Sequence, residues 1–418
     1  MELKSFITDA DDSLFSLYNL PYGIFSCNHN ENYRVGVAIG NQVLDLACLE
    51  HAGLIKIANK KNIFNQTSLN IFAGLDAQTR LHIRNRIQLL LSINNDELQK
   101  NKSLRSNALI STEKITMAHP FQIEGFSDFY TSEHHATNVG KLFRDKDNPL
   151  LPNWKYLPVG YNGRVSTINL SGHAIRRPKG QIKHPDQHTP VFSESRKLDF
   201  ELEMGVFVAQ GNPDGTPISV DKARKHIFGL VLLNDWSARD IQAFEYQPLG
   251  PFLSKSFATS ISPWVVPLEA LQDYCTPMPI QQPEPVDYLK QKERSLIDIK
   301  LKIQIQPKDS TLITTVCETN FSELYWSMEQ MLAHHTINNC IMKTGDLLGT
   351  GTISGSDSQS WGSLLEKTYN GTQPIQLDGG ETRHFLEDGD SVIITGYCDN
   401  GKHKLGFGKV ENKIVAAS

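Results

Sequence analysis

The segment Leu198-Asp199-Phe200-Glu201-Leu202-Glu203-Met204 constrains this chain more than any other. Apolar and acidic residues alternate in it, and successive side chains of a β-strand point to opposite faces. Leu198, Phe200, Leu202 and Met204 are therefore assigned to one face, and Asp199, Glu201 and Glu203 to the other. Two residues along a strand rise about 6.6 Å, so Glu201 and Glu203 can lean toward one point. Carboxylates that close repel unless a cation lies between them, and hard oxygen ligands select calcium, magnesium or manganese over zinc or copper. The alternative is a half-exposed strand with a solvated acidic face. The remaining motifs decide between the two.

The 418 residues are enough for two domains with sizeable cores. A net charge of −5 gives no basic face for nucleic acid. No apolar run approaches the roughly 20 residues that span a bilayer. The N-terminal stretch carries Glu2, Asp9, Asp11 and Asp12 without a long apolar core, which does not read as a secretory signal. Cys27, Cys48, Cys275, Cys317, Cys340 and Cys398 form no C-x-x-C pair, so free thiols in a reducing cytoplasm are expected.

The first 118 residues read as a separate module. Arg34 to Leu46 alternates around Gly40-Asn41 as a hairpin. Leu69 to Leu91 carries a helical period, with Leu81, Leu89 and Leu90 among its apolar positions. Asn94 to Glu113 is polar and reads as a linker. From residue 119 onward, strands are expected at Ser166–Leu170, Leu198–Val208, His226–Leu233, Ile297–Ile305 and Ser391–Tyr397. A helix is expected after Asp235, where Ser237-Ala238-Arg239-Asp240 has the look of a capping box, and another from Asn320 to about His335. Cys275 to Pro285 reads as an irregular loop. The balance is mainly β (α+β), a β-rich domain with helices outside.

Four further clusters carry chemistry-bearing residues. Asp128 and Tyr130 precede His134-His135-Ala136-Thr137-Asn138-Val139-Gly140. Asn234-Asp235 ends an apolar run, and Arg239, Gln242 and Tyr246 then fall on one helix face. Lys255 and Thr259 follow, and Gly349-Thr350-Gly351-Thr352 allows close backbone approach. That glycine pattern is neither a Walker loop nor a dinucleotide fingerprint. Each cluster alone can be structural. Together they supply carboxylates for a hard metal, a neutral base and cations for developing negative charge.

These motifs resemble the fumarylacetoacetate hydrolase family. The resemblance covers most of the chain and is strongest in Leu151–Trp154, Pro158–Tyr161, Ile175–Pro178, Asn234–Ile241, Pro248–Phe252, Ile261–Val266 and Gly351–Asp357. It implies a small N-terminal β-barrel domain (1–118), a C-terminal mixed β-roll domain with peripheral helices (119–418), and a homodimer. It implies a calcium or magnesium site at Asp128, Glu201, Glu203 and Asp235, and a second magnesium site at Asp235, Lys255 (through its backbone) and Thr259. His135 takes the place of the general base, with Glu366 orienting it. Tyr130, Arg144, Arg239, Gln242, Tyr246 and Thr352 take the places of substrate contacts, and Lys255 joins Arg239 and Gln242 in stabilising charge. Ala258 stands where the family typically has glycine. The implied activity is hydrolysis of the carbon–carbon bond of a diketo acid, 4-fumarylacetoacetate, to fumarate and acetoacetate in tyrosine and phenylalanine breakdown. Acylpyruvate hydrolysis, oxaloacetate decarboxylation and dienoate isomerisation are the neighbouring activities. A catalytically silent metal-stabilised scaffold would need only the carboxylates.

Overall fold

A computed structural model describes residues 3–184, 186–293 and 295–418; Glu2 lies outside them. The Arg34–Leu46 alternation folds as expected. Asn30–Ile39 and Gln42–Asp45 pair as a hairpin, with Gly40 in the left-handed region at φ +57°. Tyr22–Cys27, Leu109–Ser111 and Ile115–Ala118 complete a five-stranded antiparallel sheet.

The helical stretch from residue 69 to 91 is two helices, Asn70–Ala73 and Ala77–Leu91, because Asp76 caps the second by accepting from Thr79 N at 2.9 Å. Its buried face is Ile83, Ile87, Leu90 and Leu91, whereas Leu81 and Leu89 face outward. Asn94–Glu113 is not a linker. Asn95 and Asn101 cap short helices at Asp96–Gln99 and Lys102–Ala108, and Leu109–Ser111 then joins the sheet. Polar composition concealed this, since only Leu98 and Ala108 of those helices are buried.

The larger part holds two mixed sheets. One runs in the order Gly160–Asn162, Phe126–Phe129, Leu347–Gly349, Leu202–Val208, Ile227–Asp235, Thr259–Ile261, Ile168–Leu170. Two of its neighbouring pairs are parallel and the rest antiparallel. The other runs Thr314–Asn320, Lys300–Gln306, Ser391–Asp399, Lys404–Val415, Ile175–Arg176. Leu202, Met204, Leu230 and Leu232 from the first share a core with Leu301, Ile303, Ile394 and Val410 from the second. Phe207, Phe228, Val231 and Leu233 share a different core with Tyr22, Phe72 and Phe121 near the N-terminus. The central strands are thus covered on both faces, which is why Ile227–Leu233 reads as a continuous apolar run.

Three expected elements are divided. Leu198–Val208 breaks after Asp199: Leu198–Asp199 pairs with Ser237–Ala238, and the main strand restarts at Leu202. Ile297–Ile305 breaks into Ser295–Ile297 and Lys300–Gln306, although Ile297, Ile299, Leu301, Ile303 and Ile305 are all buried. Cys275–Pro277, expected to be irregular, is the strand that pairs with Ser295–Ile297. The helix expected from Asn320 is a 3₁₀ turn at Phe321–Glu323 followed by Met328–Thr336, which is capped reciprocally by Ser327 and Gln330. Nor does Ser237 form a capping box. Its Oγ donates to Asp235 O at 3.1 Å, and the helix Arg239–Glu245 starts after Ala238 without a side-chain cap.

Candidate active site and metal centre

Neighbouring strands deliver three carboxylates to one point. Leu347–Gly349 lies between the strands bearing Asp128 and Glu203, and Gly349 pairs with Asp128 on one side and with Gly205 on the other. Having no side chain, Gly349 leaves the space the carboxylates use: a Cβ there would sit 2.5 Å from Asp128 Oδ1 and 3.0 Å from Glu203 Oε2. Asp235 ends the next strand, and ligand oxygens of Asp128, Glu203 and Asp235 lie within 4.8 Å of one another, all buried. Asp128 Oδ1 and Glu203 Oε1 have no hydrogen-bond partner. Buried acceptors left unpaired are costly, and all-oxygen donors of this kind fit a hard divalent cation.

Electrostatics divide the acidic residues into two groups. Burial pushes the Asp128 carboxyl well above its usual range, and Asp235 adds to this. Burial does the same to Glu203, reinforced by Asp128 and Asp235. Glu201 is the opposite case. Burial acts to raise it, but the Lys255 ammonium and the Arg239 guanidinium outweigh burial and bring it down to about 2. Glu201 Oε2 accepts from Lys255 Nζ, and Oε1 lies 2.6 Å from Arg239 Nη1. Both its oxygens therefore face cations beside the triad.

Lys255 Nζ also donates to Asp235 Oδ2 at 2.6 Å, and Thr259 Oγ1 donates to Asp235 Oδ1 at 3.0 Å. A cavity of about 220 Å³ opens on Asp235, Lys255 and Thr259. A larger cavity, about 1240 Å³, lies near the N-terminus around Cys27, Arg34 and Asp45 and touches none of the residues named for the site.

His135 sits in the helix Glu133–Phe143, capped by Ser132. Its Nδ1 is 2.7 Å from Glu366 Oε2 and the pair is buried. Its neighbour His134 points elsewhere, with Nε2 3.6 Å from Glu323. Glu366 is held from several sides: Asn138 Nδ2 donates to Oε1 at 2.9 Å, and Ser354 and Ser363 hydroxyls donate to Oε2 at 2.9 and 2.8 Å. Burial acts to raise this carboxyl, but His135, Asn138 and Ser363 bring it below its ordinary range.

Arg239 donates from Nε to Asp199 Oδ2 at 2.9 Å and from Nη1 to Gln242 Oε1 at 3.2 Å. Its Nη2 is buried without a partner, as is Thr352 Oγ1. Tyr130 packs its ring edge-on against His135 at 5.2 Å. Arg144 and Tyr246 are exposed; Arg144 Nε donates to Pro149 O at 2.8 Å, and the Tyr246 hydroxyl accepts from Gln247 at 2.9 Å. Ala258 is buried in the core.

Asn138, Ser354, Ser363 and Asp199 were not singled out from sequence as positioning groups, nor was Tyr161, whose hydroxyl donates to Asp235 Oδ2 at 3.0 Å. One was legible: Ser363-Leu364-Leu365-Glu366 has capping-box spacing, and Ser363 Oγ does accept from Glu366 N. The others depend on contacts distant in the chain.

Two family models match: residues 125–415 fit "Fumarylacetoacetate (FAA) hydrolase C-terminal" and residues 18–120 fit "Fumarylacetoacetase N-terminal". The fumarylacetoacetase of Homo sapiens is 48% identical over 414 residues, covering 99% of each chain. That of Arabidopsis thaliana is 47% identical over 415 residues, covering 99% of this chain and 98% of its own. A solved fumarylacetoacetate hydrolase from psychrophilic Exiguobacterium antarcticum superposes with a TM-score of 0.53 at 14% identity, covering 95% of this chain and 99% of its own, which shows a shared fold. With both parts of the architecture matched and near-half identity along the whole length, the chain belongs to the fumarylacetoacetase family.

Proposed function

We propose that this protein hydrolyses 4-fumarylacetoacetate to fumarate and acetoacetate, in the breakdown of tyrosine and phenylalanine. The observation that carries this reading is the buried His135–Glu366 pair in the same chain as a triad of carboxylates with two unpaired oxygens. A scaffold needs only the second.

Asp128, Glu201, Glu203 and Asp235 would hold a calcium or magnesium ion. Asp235, Thr259 and the Lys255 backbone would hold a second magnesium. A bound divalent cation supplies Lewis acidity toward the diketone oxygens. With Nδ1 engaged by Glu366, the Nε2 atom of His135 is left to take a proton from water. The oxygen of that water bonds to the fumaroyl carbonyl carbon. The carbon–carbon bond then breaks, its electron pair leaves as the enolate of acetoacetate, and the proton held by His135 returns to the enolate carbon. Arg239, whose Nη2 is an unpaired buried donor, stabilises the oxyanion and the enolate with Gln242 and Lys255. Thr352, Tyr130, Arg144 and Tyr246 orient the substrate, Arg144 suiting a carboxylate through its fork.

The protein works as a homodimer in the cytoplasm. Leu249 and Phe252, 96% and 70% exposed beside the Arg239 helix, supply apolar surface for a second copy to cover. The free state of all six cysteines suits a reducing compartment. Among the described residues no helix is long and apolar enough to cross a membrane. The module boundary falls at residue 118.

Turnover in ¹⁸O-water tests the chemistry. The label is expected in the new carboxylate of fumarate and absent from acetoacetate. Labelled malonate with 4-oxopent-2-enoate, in place of fumarate and acetoacetate, would put the attack on the other carbonyl and refute the assignment.

A further inference from the structure

Asp199 belongs to the acidic alternation, yet its oxygens are committed away from the carboxylate triad. Oδ2 accepts from Arg239 Nε at 2.9 Å and from Leu365 N at 2.9 Å, and Oδ1 accepts from Leu364 N at 2.7 Å. The side chain is fully buried. Leu364 and Leu365 open the turn that carries Glu366, and Ser363 caps that turn. One carboxylate therefore ties the guanidinium on one wall of the site to the backbone that presents Glu366 to His135 on the other.

This contact does what the Glu201 contact alone does not. Glu201 holds Arg239 at Nη1, and a guanidinium held at one nitrogen can pivot. Fixing Nε as well sets its plane, which leaves Nη2 as the donor without a partner. We propose that Asp199 is a positioning residue that keeps Arg239 and the His135–Glu366 pair in register across the site. The proposal rests on the functional reading of that site given above.

The test is Asp199→Asn, which keeps the volume but turns an acceptor toward Arg239 into a donor. The turnover number is expected to fall about 10–100-fold, the usual scale for groups that orient catalytic residues. Addition of calcium or magnesium should still raise the melting temperature, because Asp128, Glu203 and Asp235 are untouched. Combined with Glu366→Gln or Arg239→Gln, the losses should not multiply, since both partners act through the same tether. Fully multiplicative losses would indicate a merely structural role and overturn the proposal. A crystal structure of Asp199→Asn decides the matter without any substrate. A displaced guanidinium or a lengthened His135–Glu366 contact supports it, and unchanged geometry at both refutes it. Failure of the unaltered protein to cleave fumarylacetoacetate would count against the functional reading and leave this structural arm to decide the tether. If the asparagine variant does not fold, Asp199→Glu retains the charge and lengthens the tether by one methylene, with the same outcomes expected.

Discussion

His135 is held by a carboxylate that is itself held by Asn138, Ser354 and Ser363. A group held in this way needs little reorganisation to serve in the base role proposed for it. His135→Phe is expected to lower turnover about 10²–10⁴-fold while divalent ions continue to stabilise the fold against heat. A near-normal rate would remove His135 from the base role. Glu201→Ala leaves Arg239 and Lys255 buried without their shared counter-charge. Denaturant unfolding should show a loss of about 3–5 kcal/mol, and metal titration should show weaker binding that excess ion partly restores. Unchanged metal affinity would take Glu201 out of the ligand set. Burial pushes the Asp128 and Glu203 carboxyls up in the ion-free protein. Below the unfolded range near about pH 4, protonation is the same in both states. As pH rises above that range the unfolded state releases these protons while the buried carboxyls of the native state keep theirs, so the ion-free protein loses stability. A bound cation removes that penalty, so the melting-temperature gap between ion-loaded and chelated protein should widen as pH rises above that range. A gap independent of pH would contradict the assignment of these two residues.

At the scale of elements, the site depends on where strands stop. Glu203, Asp235 and Gly349 lie at strand ends, and Gly351 follows in the left-handed region at φ +77°. A Cβ on Gly351 would sit 2.2 Å from Phe129 O, and its N–H donates to Glu203 Oε2 at 3.0 Å. Gly351→Ala should therefore cost about 1–3 kcal/mol in backbone strain alone and weaken ion binding with it. Calorimetry with and without calcium measures both effects, and an unperturbed variant would contradict the tight approach of these loops. Period-two alternation made several elements readable from sequence: the Gly40 hairpin, Lys300–Gln306 and the apolar face of Leu202–Val208. The helical readings missed the breaks that local capping makes at Asp76 and Ser327, and alternation failed where side chains replaced ladder bonds. Glu201 N, for example, donates to Asn234 Oδ1 at 3.0 Å, at the break in the acidic strand. The His135–Glu366 contact spans 231 positions. No local pattern encodes such a pairing, which is why family resemblance was needed to nominate it.

At the scale of the whole molecule, residues near the N-terminus share a core with the sheet that carries the carboxylates. Tyr22 and Phe72 pack on Phe228 with ring centroids 5.8 and 5.9 Å apart. A chain beginning at residue 119 is expected to expose this apolar face, to bind a hydrophobic dye and to lose the cooperative melt of the full chain. A well-folded, fully active fragment would show that the module is dispensable. The central claim joins the metal site to a particular reaction. Its most direct test follows the diketone absorbance of fumarylacetoacetate with purified protein, before and after a chelator removes divalent ions, and again after calcium or magnesium is restored. The account predicts rapid loss of absorbance with fumarate and acetoacetate as products, arrest on chelation and recovery on restoring the ion. Undiminished absorbance with the ion present, or turnover indifferent to the chelator, would contradict it.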